Sequence, residues 1–210
     1  MIKEHKKNYG IGLLWLMHIS AFIGIKIGFQ DFFLPLSALN LWFISLLVIT
    51  FYPVQNKRNV LVFTIIALLG YFAEVIGVAT GKVFGEYSYG ENLGFKVLGV
   101  PVIIGVNWAV LSFISSGLAD RLPLKSIFIK AGIAAFLMLL FDFFIEQSAP
   151  IFDFWKFENP TVPLQNYITW FLLAYIFNLA ALKLDTKRNF AICLNTYVVQ
   201  VLFFIAFYVF

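Results

Sequence analysis

The sequence predicts an all-α bundle of about seven transmembrane helices with its N-terminus inside. Hydrophobic residues make up 61% of the 210-residue chain and charged residues 12%, against roughly 45–50% and about 25% in ordinary soluble domains. Mean hydropathy is +0.90. A soluble fold of this composition would lack the polar residues to cover its surface. Seven apolar segments each approach the roughly 20 residues that cross a bilayer, and Lys and Arg are unevenly shared between the two sets of connections.

The first segment, about 11–29, follows a basic stretch from Met1 to Lys7. No small-residue cleavage site stands out after Phe29, so it reads as a retained helix rather than a removed signal peptide. The second, about 34–52, stops at Pro53 and Asn56, and the third runs over about 60–80. The fourth (about 98–119) and fifth (about 126–147) are parted by Asp120 and Pro123. The sixth (about 165–182) and seventh (about 190–210) are parted by Asp185 to Asn189. No soluble domain, internal repeat or low-complexity tail interrupts them, so residues 1–210 read as a single transmembrane domain. The single Cys193 has no second Cys for a disulfide or zinc site and reads as a packing residue.

Orientation follows from the basic residues. Lys3, Lys6, Lys7, Lys57, Arg58, Arg121, Lys125, Lys183, Lys187 and Arg188 fall on one side. Only Lys82, Lys96 and Lys156 fall in loops of the other, with Lys26 near a helix end and able to snorkel outward. The rich side is expected to be cytoplasmic, in the cytoplasmic membrane of a bacterium or archaeon. The net charge of +4 is scattered among these anchors and forms no patch for nucleic acid. Two connections are longer than packing requires, Gly81 to Pro101 and Ser148 to Leu164, and both fall on the outer side. Their Gly and aromatic content suits backbone held against an apolar object, or an interfacial aromatic belt.

Three carboxylates lie within predicted spans: Glu74 in the third, Asp142 and Glu146 in the fifth. Each charge near a bilayer centre costs roughly 2.5–3.5 kcal/mol on insertion scales, and helix packing alone explains none of them. Asp142 and Glu146 are four residues apart and share a helix face. At about 1.5 Å per residue, Glu74 and Asp142 lie roughly 6–9 Å outward of their span midpoints, beneath the long loops. Glu146 lies nearer the boundary, where a helix-end acid facing the headgroups is the plain alternative. A carboxyl group withdrawn from water favours its neutral form, which can donate a proton. Asn107 beside Trp108, and Asn166, can orient an acid or a water, or simply bond a neighbouring helix. His18 has no second His and no acid within its span and reads as an interhelical contact, and Asp31 as a loop residue.

Several chemistries are excluded. There is no phosphate-binding or dinucleotide glycine motif, no His cluster for a di-iron enzyme, and no Lys in the last span for a retinal Schiff base. Asp142 and Glu146 form one short acidic pair, where magnesium-dependent prenyltransferases need two acid-rich motifs.

The stretch Glu74-Val-Ile-Gly77-Val-Ala-Thr80-Gly81, Phe84-Gly85-Glu-Tyr87-Ser-Tyr89, Leu93-Gly94 and Gly99-Val100-Pro101 resembles the CruF-type carotenoid hydratases, membrane "carotenoid biosynthesis proteins" of bacteria and haloarchaea. Asp142-Phe-Phe-Ile-Glu146, Ala149, Trp155, Pro163, Asn166-Tyr167 and Trp170 continue the resemblance in order. It covers about residues 70–170, and Gln147 stands where a Pro commonly follows the second-half acid. The resemblance implies addition of water across the terminal C1–C2 double bond of an acyclic carotenoid end group, giving a tertiary alcohol without a cofactor. Substrate classes are γ-carotene-like, lycopene-like or bacterioruberin-precursor-like. The implied partners are the carotenoid, the lipid bilayer and other carotenoid-pathway membrane enzymes.

Such a hydration needs an acid to protonate C2, a stabilised cation at C1 and a positioned water. Asp142 is the expected acid and Glu74 the group that orients water, with Glu146 able to exchange roles with either. Thr80, Phe84, Tyr87, Tyr89, Asn107, Trp108, Trp155, Asn166 and Trp170 are the expected substrate-binding residues, the aromatic faces adding cation–π stabilisation. A carotenoid end-group cyclase or isomerase would use the same acid but lose a proton. A non-catalytic carotenoid- or lipid-binding subunit would convert nothing.

Overall fold

The computed structural model describes residues 2–52, 56–184 and 188–209. The predicted breaks at Pro53 and at Asp185 to Lys187, and the terminal Met1 and Phe210, lie outside the described residues. Helices dominate: α1 (Ile2–Lys26), a short α2 (Gln30–Phe33) leading through a 3-10 turn (Leu34–Leu36) into α3 (Ser37–Phe51), and α4 (Lys57–Thr80). They continue with α5 (Val102–Asp120), α6 (Ile127–Ser148), α7 (Leu164–Leu182) and α8 (Phe190–Val209).

Six helical stretches are long and apolar enough to cross a membrane: His5–Lys26, Gln30–Phe51, Lys57–Thr80, Val102–Asp120, Ile127–Ser148 and Phe190–Val209. This is an integral membrane protein. α7 has the length of a span, 19 residues, but Gln165, Asn166 and Asn178 make it more polar than the others. Asn166 and Asn178 are buried toward its neighbours, whereas Gln165, at its start, is exposed. α1 begins earlier than the apolar pattern predicts, at Ile2 rather than about residue 11. Lys and His are compatible with a helix, and the hydropathy pattern marks where apolar surface starts, not where backbone hydrogen bonding does.

Local chemistry sets the ends. Asn56 caps α4 by accepting from the Asn59 amide at 2.8 Å, and Ser126 caps α6 through the Ile129 amide. α4 stops at Gly81, whose φ of +66° suits a left-handed C-cap. α5 occupies the middle, packed by α3, α4, α6, α7 and α8. It is mostly buried because Gly105, Ala109, Ser112, Ser115, Ser116 and Gly117 let neighbours approach from several sides. Cys193 fits that pattern, buried with its sulfur against Gly117. At one end of the bundle Asp120 accepts from Lys130 at 2.9 Å and Arg188 at 2.7 Å, tying α5 to the starts of α6 and α8.

The opposite end is roofed by the two long connections. They contain strands that the sequence reading did not anticipate: β1 (Tyr87–Tyr89), β2 (Lys96–Val97), β3 (Val100–Pro101) and β4 (Trp155–Phe157). β1 pairs antiparallel with β4, setting Tyr87 opposite Phe157 and Tyr89 opposite Trp155. β2 and β3 form a hairpin around Leu98 and Gly99, both at positive φ, as a tight two-residue turn demands. The Asp153 carboxylate accepts from the Glu91 amide at 2.7 Å, and the Asn92 side chain donates to the Phe152 carbonyl at 2.9 Å. The roof is therefore one hydrogen-bonded layer drawn from both halves of the chain.

Candidate active site

Glu74 sits on α4, buried beneath this roof. Its Oε2 accepts from the Tyr87 hydroxyl at 2.5 Å and the Tyr89 hydroxyl at 2.9 Å, and its Oε1 from Trp108 Nε1 at 2.9 Å. Alternate residues of a strand share a face, so the Tyr-Ser-Tyr pattern of β1 delivers both phenols to one carboxyl. Burial, and then the Glu74 carboxyl itself, hold both phenols above their ordinary range, which keeps them as donors. Glycines one turn to either side make the approach possible. A methyl group at Gly70 would lie 2.6 Å from Trp108 Cγ, and one at Gly77 would lie 2.7 Å from the Phe84 ring. The Glu-x-x-Gly spacing thus has a steric reason.

Asp142 and Glu146 project from one face of α6, and both are buried. The Asn166 amide, in the first turn of α7, donates to Asp142 Oδ2 and to Glu146 Oε1, each at 3.2 Å. Trp155 Nε1 donates to Glu146 Oε2 at 3.0 Å. Trp155 lies beside Tyr89 across the β1–β4 pairing, so the roof joins the Glu74 group to the Glu146 group. Trp108 and Trp170 stack at 4.0 Å between centroids, 24° from parallel.

These groups surround one cavity of about 250 Å³. Glu74, Asp142 and Glu146 line it, as do Phe84, Tyr87, Tyr89, Asn107, Trp108, Trp155, Asn166 and Trp170. Asn107 makes no hydrogen bond among the described residues, leaving its amide available to a ligand or water. Thr80 stands apart. Its hydroxyl donates to the Ile76 carbonyl at 2.6 Å and accepts from the Lys82 amide at 3.2 Å, so it serves the end of α4 and does not reach the cavity. Further polar residues line the cavity from α1, α3 and α8, among them His18, Asn40 and Gln200. His18 Nδ1 donates to the Leu14 carbonyl at 2.8 Å, which leaves Nε2 as an acceptor facing the Asn40 amide at 3.4 Å. The sequence signal for Asn40 and Gln200 was only their polarity within apolar segments.

The fold and site define a membrane-embedded pocket with three carboxyl groups, apolar walls and aromatic faces. A family profile described as "Carotenoid biosynthesis protein" matches residues 36–210, and the chain belongs to that family. It is similar to a protein of Haloarcula japonica named bisanhydrobacterioruberin hydratase, 29% identical over 139 residues. That alignment covers 60% of this chain and 45% of the relative, so the chain spans less than half of the relative's length in it. No solved structure matches.

Proposed function

We propose that this protein hydrates the terminal C1–C2 double bond of an acyclic carotenoid end group, giving a tertiary alcohol at C1. The observation that carries the reading is the convergence of Glu74, Asp142 and Glu146 on one apolar cavity lined by stacked indoles. Family membership and the name of the Haloarcula relative support the same chemistry.

In the proposed reaction Asp142 transfers its proton to C2, and the alkene π pair forms the new C–H bond. The cation left at C1 is tertiary and lies near the Trp108 and Trp170 faces, which favour positive charge. A water oriented by Glu74 and Asn107 donates an electron pair to C1. It then loses a proton to Glu146, which passes it to the neighbouring Asp142 carboxyl, the Asn166 amide holding the two acids side by side. A water-poor pocket strengthens each electrostatic contribution. We further infer that the basic end faces the cytoplasm, that α7 is a seventh crossing, and that the host membrane is the cytoplasmic membrane.

The test is pigment analysis in a host that supplies lycopene or γ-carotene. The expected product is heavier by one water and carries a tertiary hydroxyl. A product of unchanged mass with a ring end group would instead establish a cyclase.

A further inference from the structure

We propose that the cavity opens sideways between α1 and α3, and that this slot receives the long chain of the substrate from the lipid while only the end group enters. The inference rests on the carotenoid reading above. It begins from a mismatch of size: the cavity holds about 250 Å³, whereas a carotenoid is roughly as long as the bilayer hydrocarbon is thick, about 30 Å. Most of the molecule must therefore lie outside.

The walls show where. On the roof side the lining residues Phe84, Leu93, Phe152 and Phe154 are all buried, at 5% exposure or less. On the α1–α3 side, Ser20, Leu36 and Leu39 line the same cavity yet are exposed on the outer surface. A side chain that borders both a cavity and the exterior marks an opening.

Packing explains the gap. α1 and the α2–α3 segment touch tightly at both ends. At one end a methyl group at Gly24 would run into the Phe33 ring, and at the other one at Gly10 would lie 2.5 Å from Leu47 Cδ1. The slot lies between these clamps, near the middle of α1. These two segments are also the least buried of the six spans, at 17% and 22%. Among the described residues, the side-chain hydrogen bond that crosses the gap is the long His18–Asn40 contact, and Asn40 Oδ1 is buried without a partner. That contact is easily parted. The surface outside the slot is apolar, with Leu16, Ile19, Leu39 and Trp42 exposed, so what approaches from there is dissolved in lipid.

The test measures binding in lipid nanodiscs, using quenching of tryptophan fluorescence by lycopene and competition by geraniol, which is small enough to sit wholly inside. Ala21→Phe narrows the slot, and Ile19→Phe adds the same bulk on the lipid face of the same helix. Ala21→Phe should weaken lycopene binding by about tenfold or more, leave geraniol within about twofold, and Ile19→Phe should change neither. Should Ala21→Phe fold poorly, Leu39→Trp at the exposed mouth reads the same quantity. Unchanged lycopene affinity in the narrowed variants, equal losses for both ligands, or no lycopene binding by the unaltered protein would overturn the slot. Lycopene that binds through the slot but is never hydrated would overturn the proposed reaction and leave the slot standing.

Discussion

The two acid-bearing helices treat their carboxyl groups differently. On α4, Glu74 meets three donors from three side chains, and both its oxygens are engaged. On α6, Asp142 receives one hydrogen bond, from an amide it shares with Glu146, while Glu146 receives that one and a second from Trp155. A group surrounded by donors is held in place as an acceptor. A buried acid with one shared donor is freer to give its proton to something in the cavity. In the proposed reaction this contrast assigns water orientation to the anchored carboxyl, Glu74, and proton transfer to the less anchored one, Asp142. Glu146, intermediate in its contacts and linked to the roof, takes the part of relay in that proposal.

The largest expected effect is at Asp142. Asp142→Asn keeps the shape and the Asn166 neighbour but removes the transferable proton, so carotenoid turnover should fall by about 10²–10⁴-fold, the usual contribution of a general acid. Insertion and pigment binding should remain, since the amide is as neutral as the protonated acid it replaces and its oxygen can still accept from Asn166. A structural Asp142 would instead keep its turnover.

Glu74→Gln should lose activity by about 10²-fold or more and also carry a stability cost. The new amide sets an N–H donor against an existing donor, Tyr87, Tyr89 or Trp108, and an unsatisfied buried group costs about 1–3 kcal/mol. Thermal unfolding in detergent should therefore drop for Glu74→Gln and not for Asp142→Asn. Equal melting temperatures would erase the distinction between the two carboxyls. Turnover losses below about tenfold at both positions would end the assignment of either to chemistry.

Glu146→Gln should cause a partial loss, about tenfold, because a relay can be bypassed by water. Full activity would return Glu146 to a structural role and leave two carboxyls in the mechanism. Tyr89→Phe is the smallest of the series. Glu74 keeps Tyr87 and Trp108, so a stability cost of about 1 kcal/mol and a turnover loss under about tenfold are expected. A Tyr89→Phe loss as large as that of Glu74→Gln would show that the phenol itself takes part in catalysis.

Much of the bundle was legible in the sequence because bilayer crossing leaves a coarse signature. Long apolar runs closed by Pro53, Pro123 and capping residues required no knowledge of partners. The three acids were legible for the same reason, since a carboxyl in an apolar run is costly wherever it points. The roof was less so. Tyr-Ser-Tyr and Trp-Lys-Phe alternate in period two, but two three-residue strands separated by more than sixty residues pair only once the helices bring them together. Thr80 shows the opposite error. It belongs to the motif around Glu74, yet a residue just before a helix end can satisfy its hydroxyl on its own backbone, and it does so. Asn40 and Gln200 reach the cavity through the packing of α1, α3 and α8 around it, which no local pattern reports.

The most direct test of the central claim is to follow the oxygen. Purified protein in lipid, given lycopene in heavy-oxygen water without added nucleotide, should form a product heavier by one water, with the heavy label in its new hydroxyl. The Asp142→Asn variant should bind the pigment and form almost none of that product. A hydroxyl labelled from oxygen gas, or full conversion by Asp142→Asn, would contradict acid-driven hydration in this cavity.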